Sequence, residues 1–549
     1  MQQPVARRRS LAALFIFACV DTAAGFTPSL DVISRSISHG DHSICPPLDA
    51  AERDQLAAAY AGTNSVFWIR DSISTQAIGV IATLQRADTF GLRAGDYCAD
   101  ALRAGARTLA AAAPPAESLA QFDVDLSTAA LRLIVHLQRG RVTPRQAGFH
   151  LPTPARSLDP AQALRSLSTA ADLNVAFERY EPQSARYRAL KQVLARYRTL
   201  AAQPELTQLE PMSARKIEPG AGYAGAQRLR VLLTAVGDLP ENAASNPAQV
   251  IDPALVDAIK RFQGRHGLNS DGVIGEKTYA ALTTPLAQRV RQIELTLERW
   301  RWLPPLEAPM VIINVPQFEL FALPRAAQDT VLEMPIIVGQ AEPLRRTPVF
   351  SSAIEQVVFQ PYWDIPRSIL VRELLPSIRR KPGYLERNHM EIVAGEMDRS
   401  PVLQPTLANI EALAAGKARL RQRPGPDNAL GPVKFVLPNP YGVFLHGTPA
   451  SELFSRSRRD FSHGCIRVAD PATLAAYVLK SAPTEWTEAQ IEAAMCGAPN
   501  QRVKLAKPVP ALILYGTALA TKSRGMLFFE DIYGHDRKLE ALLGLPPAR

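Results

Sequence analysis

The chain has 549 residues, is 47% apolar and 21% charged, and carries a formal net charge of +10. That length exceeds one ordinary domain, and the composition excludes a disordered or fibrous polypeptide; roughly 150 residues per domain gives three or four. The positive charge suits polyanionic surroundings, but no Lys/Arg run interleaved with aromatics occurs, so nucleic acid is not an expected partner.

The N-terminus, "MQQPVARRRSLAALFIFACVDTAAGF", joins a basic start (Arg7, Arg8, Arg9) to an apolar run from Leu11 to Val20 and small residues at Ala23, Ala24 and Gly25. This is the layout of a secretory signal peptide, assigned to residues 1–25. The apolar run is shorter than the roughly 20 residues a stable membrane anchor needs. Rival readings are a twin-arginine signal, with poorly fitting flanks, and a lipoprotein site at Cys19, opposed by bulky Phe17. No later segment reads as transmembrane, so the mature protein is expected to be soluble and periplasmic. Cys45 and Cys98 either pair in that oxidising space or stay free and buried; sequence does not give their distance. No CxxC occurs, and no structural metal is expected.

Residues 26–215 read as a helical scaffold domain. One stripe holds Leu131, Ile134, Val135 and Leu137; another holds Leu190, Val193, Leu194 and Tyr197. A smaller unit follows over 216–287, with helices expected at Ala254–His266 and Gly275–Leu282. Asp252-Pro253 marks a helix start, Gly267 a stop, and "NSDGVIG" a tight loop. Its Phe262, Gln263, His266, Gly267, Leu268, Asp271, Gly272, Gly275 and Thr278 resemble the recurrent pattern of a small three-helix peptidoglycan-binding domain. That resemblance implies wall binding; the alternative is that these residues only hold a helix-turn-helix together.

"RQIELTLERWRWLP" predicts a connecting helix within 288–308. From 309 to 480 the chain turns β-rich, interrupted by a helical stretch at about 367–422 that reads as an insertion. Residues 481–549 read as a C-terminal extension packing on that domain. The fold class is therefore α+β and multidomain: a helical scaffold, a three-helix unit, and a mainly β domain with a helical capping insertion.

The chemistry centres on "FSHGCIRV" (Phe461–Val468) and, upstream, "FLHGTP" (Phe444–Pro449). A free thiol is mostly protonated at neutral pH, and a histidine within reach corrects this. His446 ends one predicted strand and Cys465 opens the next segment, so the two can meet across neighbouring strands. Gly464 leaves room for backbone amides to turn toward an oxyanion. On residue types alone Cys465 is nucleophile, metal ligand, disulfide partner of Cys496, or packing.

"HGTP" followed by "SHGCIRV" resembles the signature of the L,D-transpeptidases, cysteine enzymes that remodel peptidoglycan. "ERWRWLP", "PGPDNALG" and "FFEDIYGHD" extend the resemblance to the large periplasmic members. The resemblance implies Cys465 as nucleophile, His446 as general acid/base, and the Gly447 carbonyl as the group orienting the imidazole. Ser462, His463 and Gly464 would shape the loop. Arg467 would bind a stem-peptide carboxylate, unless it pairs with Asp460 or Asp470. Trp363 and Tyr362 would line the donor groove, unless they are core. The implied activity is 3→3 cross-linking of stem peptides through a thioester, serving cell-wall biogenesis and cell shape. It needs no cofactor, and carbapenem-type β-lactams would acylate the thiol. The alternatives are an L,D-carboxypeptidase, attachment of a protein to the wall, or a non-enzymatic wall-binding scaffold.

Overall fold

The computed structural model describes residues 30–39, 44–45, 48–61, 66–70, 72–111, 114–152, 158–243, 248–326, 330–395, 400–521 and 523–546. The expected signal peptide lies outside the described residues. The chain divides into two compact units, one of residues 1–86, 94–133 and 158–177, the other of 87–93, 134–157 and 178–549.

The first unit is helical. Ser74 caps helix Thr75–Gln85 by accepting from the Ala77 N–H. Helix Ala116–Arg139 supplies Phe122, Asp123 and Leu126 to the interior. Asp123 is fully buried and accepts from Tyr60 Oη (2.6 Å), Trp68 N (2.8 Å) and Phe67 N (3.2 Å). These donors are neutral, and burial lifts its carboxyl to about 6. Cys45 and Cys98 are disulfide-bonded, with Cα atoms 5.5 Å apart, which decides the alternative that sequence left open.

The scaffold expected to run to residue 215 does not follow that boundary. Helix Ala185–Ala201 belongs to the second unit. Its buried Leu190, Leu194 and Tyr197 share a core with Leu229, Ile259 and Ile293. The amphipathic stripe was legible, but a stripe does not say which neighbour covers it.

The second unit contains β1 (Val311–Asn314), β2 (Glu319–Ala322), β3 (Leu332–Gly339), β4 (Ser351–Phe359), β5 (Trp363–Asp364), β6 (Met390–Val393), β7 (Val402–Leu403) and β8 (Arg419–Gln422). Then come β9 (Val433–Val436), β10 (Leu445–His446), β11 (Asp460–Ser462), β12 (Ile466–Val468), β13 (Gln501–Leu514), β14 (Ala518–Thr521) and β15 (Gly525–Phe528). Nine strands form one sheet in the order β11-β3-β12-β10-β9-β4-β13-β1-β2, and β3 also pairs β2, closing the sheet on itself. Alternation along the strands sends Leu445, Ile466, Val468, Phe435 and Val357 into the main core.

Two expectations change here. Residues 481–549 are no mere extension packed on the domain, because β13 lies inside the sheet between β4 and β1. The insertion is not purely helical: β5, β8, β6 and β7 make a four-stranded sheet of their own. Helices Leu375–Arg380 and Leu407–Ala415 accompany it, over a core that includes Ile369, Ile392, Leu413 and Leu420.

The small unit has helices Ala226–Val236, Pro253–Arg265 and Glu276–Leu282. Asp252 caps the second by accepting from Leu255 N–H, with Pro253 at its first turn. Buried Gln263 donates to Asp271 Oδ1 (2.8 Å), Val273 O (2.9 Å) and Thr278 Oγ1 (3.2 Å), and accepts from Gly272 N (2.8 Å). His266 stacks on Phe262, ring centroids 3.8 Å apart. The recurrent motif of this unit is thus spent on its own fold.

Candidate active site

The site begins with strand pairing. β10 runs parallel to β12 with Leu445 opposite Ile466 and His446 opposite Arg467. Leu445 and Ile466 point to the core, so His446, Arg467 and, two residues before Arg467, Cys465 share the opposite face. His446 and Cys465 are diagonal neighbours on that face, a spacing that a side chain as long as imidazole can span. On the other side of His446, β9 places Lys434 directly opposite, its Nζ 4.1 Å from the centre of the Phe444 ring.

His446 is buried, and its Nδ1 lies 2.6 Å from the Gly447 carbonyl. A carbonyl only accepts, so Nδ1 carries the proton and Nε2 keeps its lone pair. Burial first, then the Arg467 charge, lowers the imidazole pKa to about 3, while the Gly447 hydrogen bond opposes the shift. The ring is therefore neutral at pH 7. Cys465 is free and half-buried, as Cys496 is free and exposed, so no disulfide joins them. The thiol donates to the Gly442 carbonyl at 3.7 Å. Burial pushes the thiol up; the Phe444 backbone, Lys434 and Arg467 pull it down. The resting pair is a neutral thiol beside a neutral base.

β11 and β12 flank β3, so the short loop His463–Gly464–Cys465 straddles the end of β3. Gly464 has φ +120, a conformation that disfavours any side chain. Its N–H donates to Ser462 Oγ at 3.1 Å, and Ser462 Oγ donates to Cys465 O at 2.5 Å. The Gly464 amide is therefore engaged within the loop, and of the backbone amides for which Gly464 was expected to leave room it is not one that faces an oxyanion. Arg467 makes neither expected carboxylate pair. Asp460 binds Arg458, and Asp470 caps helix Pro471–Leu479. The Arg467 Nε is buried with no hydrogen-bond partner among the described residues. Trp363 sits in β5 and packs against the core of the insertion, while Arg421 lies over the Tyr362 ring at 4.1 Å.

Residues 308–487 match the family model described as the L,D-transpeptidase catalytic domain. This chain carries an L,D-transpeptidase catalytic domain. Two further models match: a scaffold domain over residues 54–194 and a "Putative peptidoglycan binding domain" over 224–282. The chain is 30% identical over 286 residues to a curated Haemophilus influenzae protein named "Putative L,D-transpeptidase", covering 52% of this chain and 56% of that one. It thus spans about half the length of this curated relative. Among solved structures it is similar to an L,D-transpeptidase from Xylanimonas cellulosilytica, 15% identical, covering 56% of this chain and 100% of that one, with a TM-score of 0.17. Among the described residues, no helix is long and apolar enough to cross a membrane.

Several residues outside the two cysteine and histidine motifs are given no individual role by the sequence. Buried Thr347 accepts from Gly339 N (2.9 Å) and donates to Gly464 O (2.8 Å), tying the cysteine loop to β3. Tyr533, inside "FFEDIYGHD", donates to Gly339 O at 2.5 Å and accepts from Thr347 N at 3.2 Å. Glu373 of the insertion accepts from His463 Nε2 at 2.7 Å and Arg345 Nη2 at 2.9 Å, so insertion and cysteine loop touch. In "PGPDNALG", Gly431 at φ +61 lies so close to Gly447 and Thr448 that an added Cβ would come within 2.6 Å of the Thr448 nitrogen. In "ERWRWLP", Glu298 accepts from the Arg141 and Val142 amides and from Arg301, at 2.5, 3.0 and 2.9 Å. That last motif is a buried ionic joint, not part of the site.

Proposed function

We propose that this chain is a peptidoglycan L,D-transpeptidase that forms 3→3 cross-links through a thioester on Cys465. The observation that carries the proposal is the neutral, Gly447-oriented His446 on the same sheet face as the Cys465 thiol. Cys465 Sγ attacks the carbonyl of the diamino acid at the third stem position while His446 Nε2 takes the thiol proton. The Sγ–C bond forms, the C–N bond to the terminal D-amino acid breaks, and His446 returns the proton to the leaving amine. The side-chain amine of a second stem then attacks the thioester, and the thiol leaves. With the Gly464 amide engaged, the Cys465 N–H is the donor we assign to the oxyanion.

Arg467, with its unpaired Nε on the same face, is assigned a stem-peptide carboxylate. Ser462, His463 and Gly464 hold the loop. In this reading residues 1–25 direct export, the enzyme works in the periplasm, and carbapenem-type β-lactams acylate Cys465. Intact-mass measurement with a disaccharide-tetrapeptide tests the proposal. The wild type should gain the mass of the peptide donor less that of the released terminal amino acid, and Cys465→Ala should gain nothing while keeping its fold. Residual cross-linking by folded Cys465→Ala would remove Cys465 from the role.

A further inference from the structure

The oxyanion donor assigned above is a backbone N–H, and no rotamer can aim a backbone group; its peptide plane has to be held. The Cys465 N–H shares a plane with the Gly464 carbonyl, and a trans peptide points the two in opposite directions. Whatever grips the Gly464 oxygen therefore aims the Cys465 amide. The group that grips it is buried Thr347, whose Oγ1 donates to Gly464 O at 2.8 Å.

That hydroxyl is itself oriented. Oγ1 accepts from the Gly339 N–H at 2.9 Å, so its single proton is directed to Gly464. Thr347 N–H donates to Tyr533 Oη (3.2 Å), and Tyr533 Oη donates to Gly339 O (2.5 Å). Two side chains thus hold Gly339 at both its amide and its carbonyl. Gly339 closes β3, the strand that pairs β11 and β12 on either side of the cysteine loop. The packing is close: a Cβ on Gly339 would collide with the Arg345 carbonyl and lie 2.8 Å from the Thr347 nitrogen. The peptide on the far side of Cys465 is fixed as well, by Ser462 Oγ on Cys465 O and by Ile466 N–H on Phe444 O at 3.0 Å. Among the described residues the Cys465 N–H itself donates to no group. An open donor on a peptide anchored from both sides needs no reorganisation when charge develops. The hydrogen bond at its carbonyl end also polarises the peptide and strengthens the N–H as a donor.

We propose that Thr347 is a positioning residue for acyl transfer: it fixes the Gly464–Cys465 peptide so that the Cys465 N–H faces the oxyanion. The proposal rests on Cys465 as the acylated nucleophile, as read above. Thr347 acts through the Gly464 carbonyl and not on the thiol.

Two reactions of the same thiol separate this role from general bracing of the loop. p-Nitrophenyl acetate acetylates Cys465 through a tetrahedral oxyanion: the Sγ–C bond forms, nitrophenolate leaves, and the thiol proton passes through His446 to solvent. Iodoacetamide alkylates Cys465 by displacement: the Sγ–C bond forms, iodide leaves, and no oxyanion develops. Both are followed by intact mass in a Cys496→Ser background, because Cys496 is also a free thiol. Thr347→Val is close in volume and loses the hydroxyl. It should acetylate about tenfold or more slowly, part of the loss that follows removal of an oxyanion donor outright, and should alkylate at the wild-type rate. Thr347→Ser keeps the hydroxyl and should acetylate within about threefold of wild type. With disaccharide-tetrapeptide as donor, the loss in Thr347→Val should fall on kcat and spare KM. An equal ratio of acetylation to alkylation in wild type and Thr347→Val overturns the proposal, including the case in which both rates fall together. If Thr347→Val does not fold, Tyr533→Phe decides, because it unties the Thr347 amide but leaves its hydroxyl. A ratio lowered about threefold there supports the proposal, and an unchanged ratio overturns it. A wild type acetylated by the ester but not acylated by disaccharide-tetrapeptide would sink the substrate reading alone, since the ratio is read on the ester.

Discussion

Two regions of the second unit each contain a recurrent sequence motif, and the two spend their polar groups differently. In the three-helix unit, buried Gln263 bonds to Asp271, Gly272 and Thr278, so the motif's hydrogen bonds are turned on its own turn and helices. In the transpeptidase domain, Cys465 stays half-buried, His446 keeps a free lone pair on Nε2, and the Arg467 Nε has no partner among the described residues. The first motif encodes a fold. The second leaves reactive groups unsatisfied, at a cost in stability that a purely structural motif would avoid. Recurrence alone does not separate the two cases; the hydrogen-bond census does.

The largest expected effect breaks the reactive side of that contrast. His446→Ala removes the base, so acylation of Cys465 by the stem peptide at pH 7 should fall by about 10²–10⁴-fold. The pH profile of alkylation should also move alkaline. His463→Ala should shift it less, because His463 is bound to Glu373. A larger shift from His463→Ala would exchange the two assignments.

Next in size is the structural side. Gln263→Ala strips the Gly272 amide and Thr278 hydroxyl of their partner, and should cost about 2 kcal/mol of stability, read as a lowered denaturation midpoint. Alkylation of Cys465 in the folded variant should be unchanged. A drop in the alkylation rate without a loss of stability would mean that the two motifs are not separable.

A further expected effect concerns acid. His446 titrates near 3 in the folded chain and near its ordinary 6.5 once unfolded. The unfolded chain therefore takes up the proton first as pH falls, and stability present above about 6.5 is lost progressively toward 3. Thermal melts across that window should show a shallower loss in His446→Gln than in the wild type. Identical slopes would mean that the imidazole is not held neutral by burial.

What the sequence made legible follows the same division. Cys465, His446 and Gly447 sit in short motifs, and one parallel strand pair brings those motifs side by side. Thr347, Glu373 and Tyr533 reach the same loop from other parts of the chain. No local periodicity reports such a contact. The disulfide between Cys45 and Cys98 needed a distance that only the fold supplies. The helical reading of the insertion failed at β7, whose two residues are too few for an alternating pattern to register, and at β6 and β8, whose four residues each are at the lower limit of one.

The place of β13 orders the making of the enzyme in time. It pairs β4 on one side and β1 on the other, and so joins the strands that carry the thiol and base to the strands that begin the domain. A chain halted after Val468 already holds Cys465 and His446, yet its sheet has a missing stave and its core strands β1 and β4 expose bare edges. Reactivity at the thiol should therefore appear late in biosynthesis, only once Gln501–Leu514 has emerged and slotted in. Until then Cys465 sits in the chain without the frame that surrounds it.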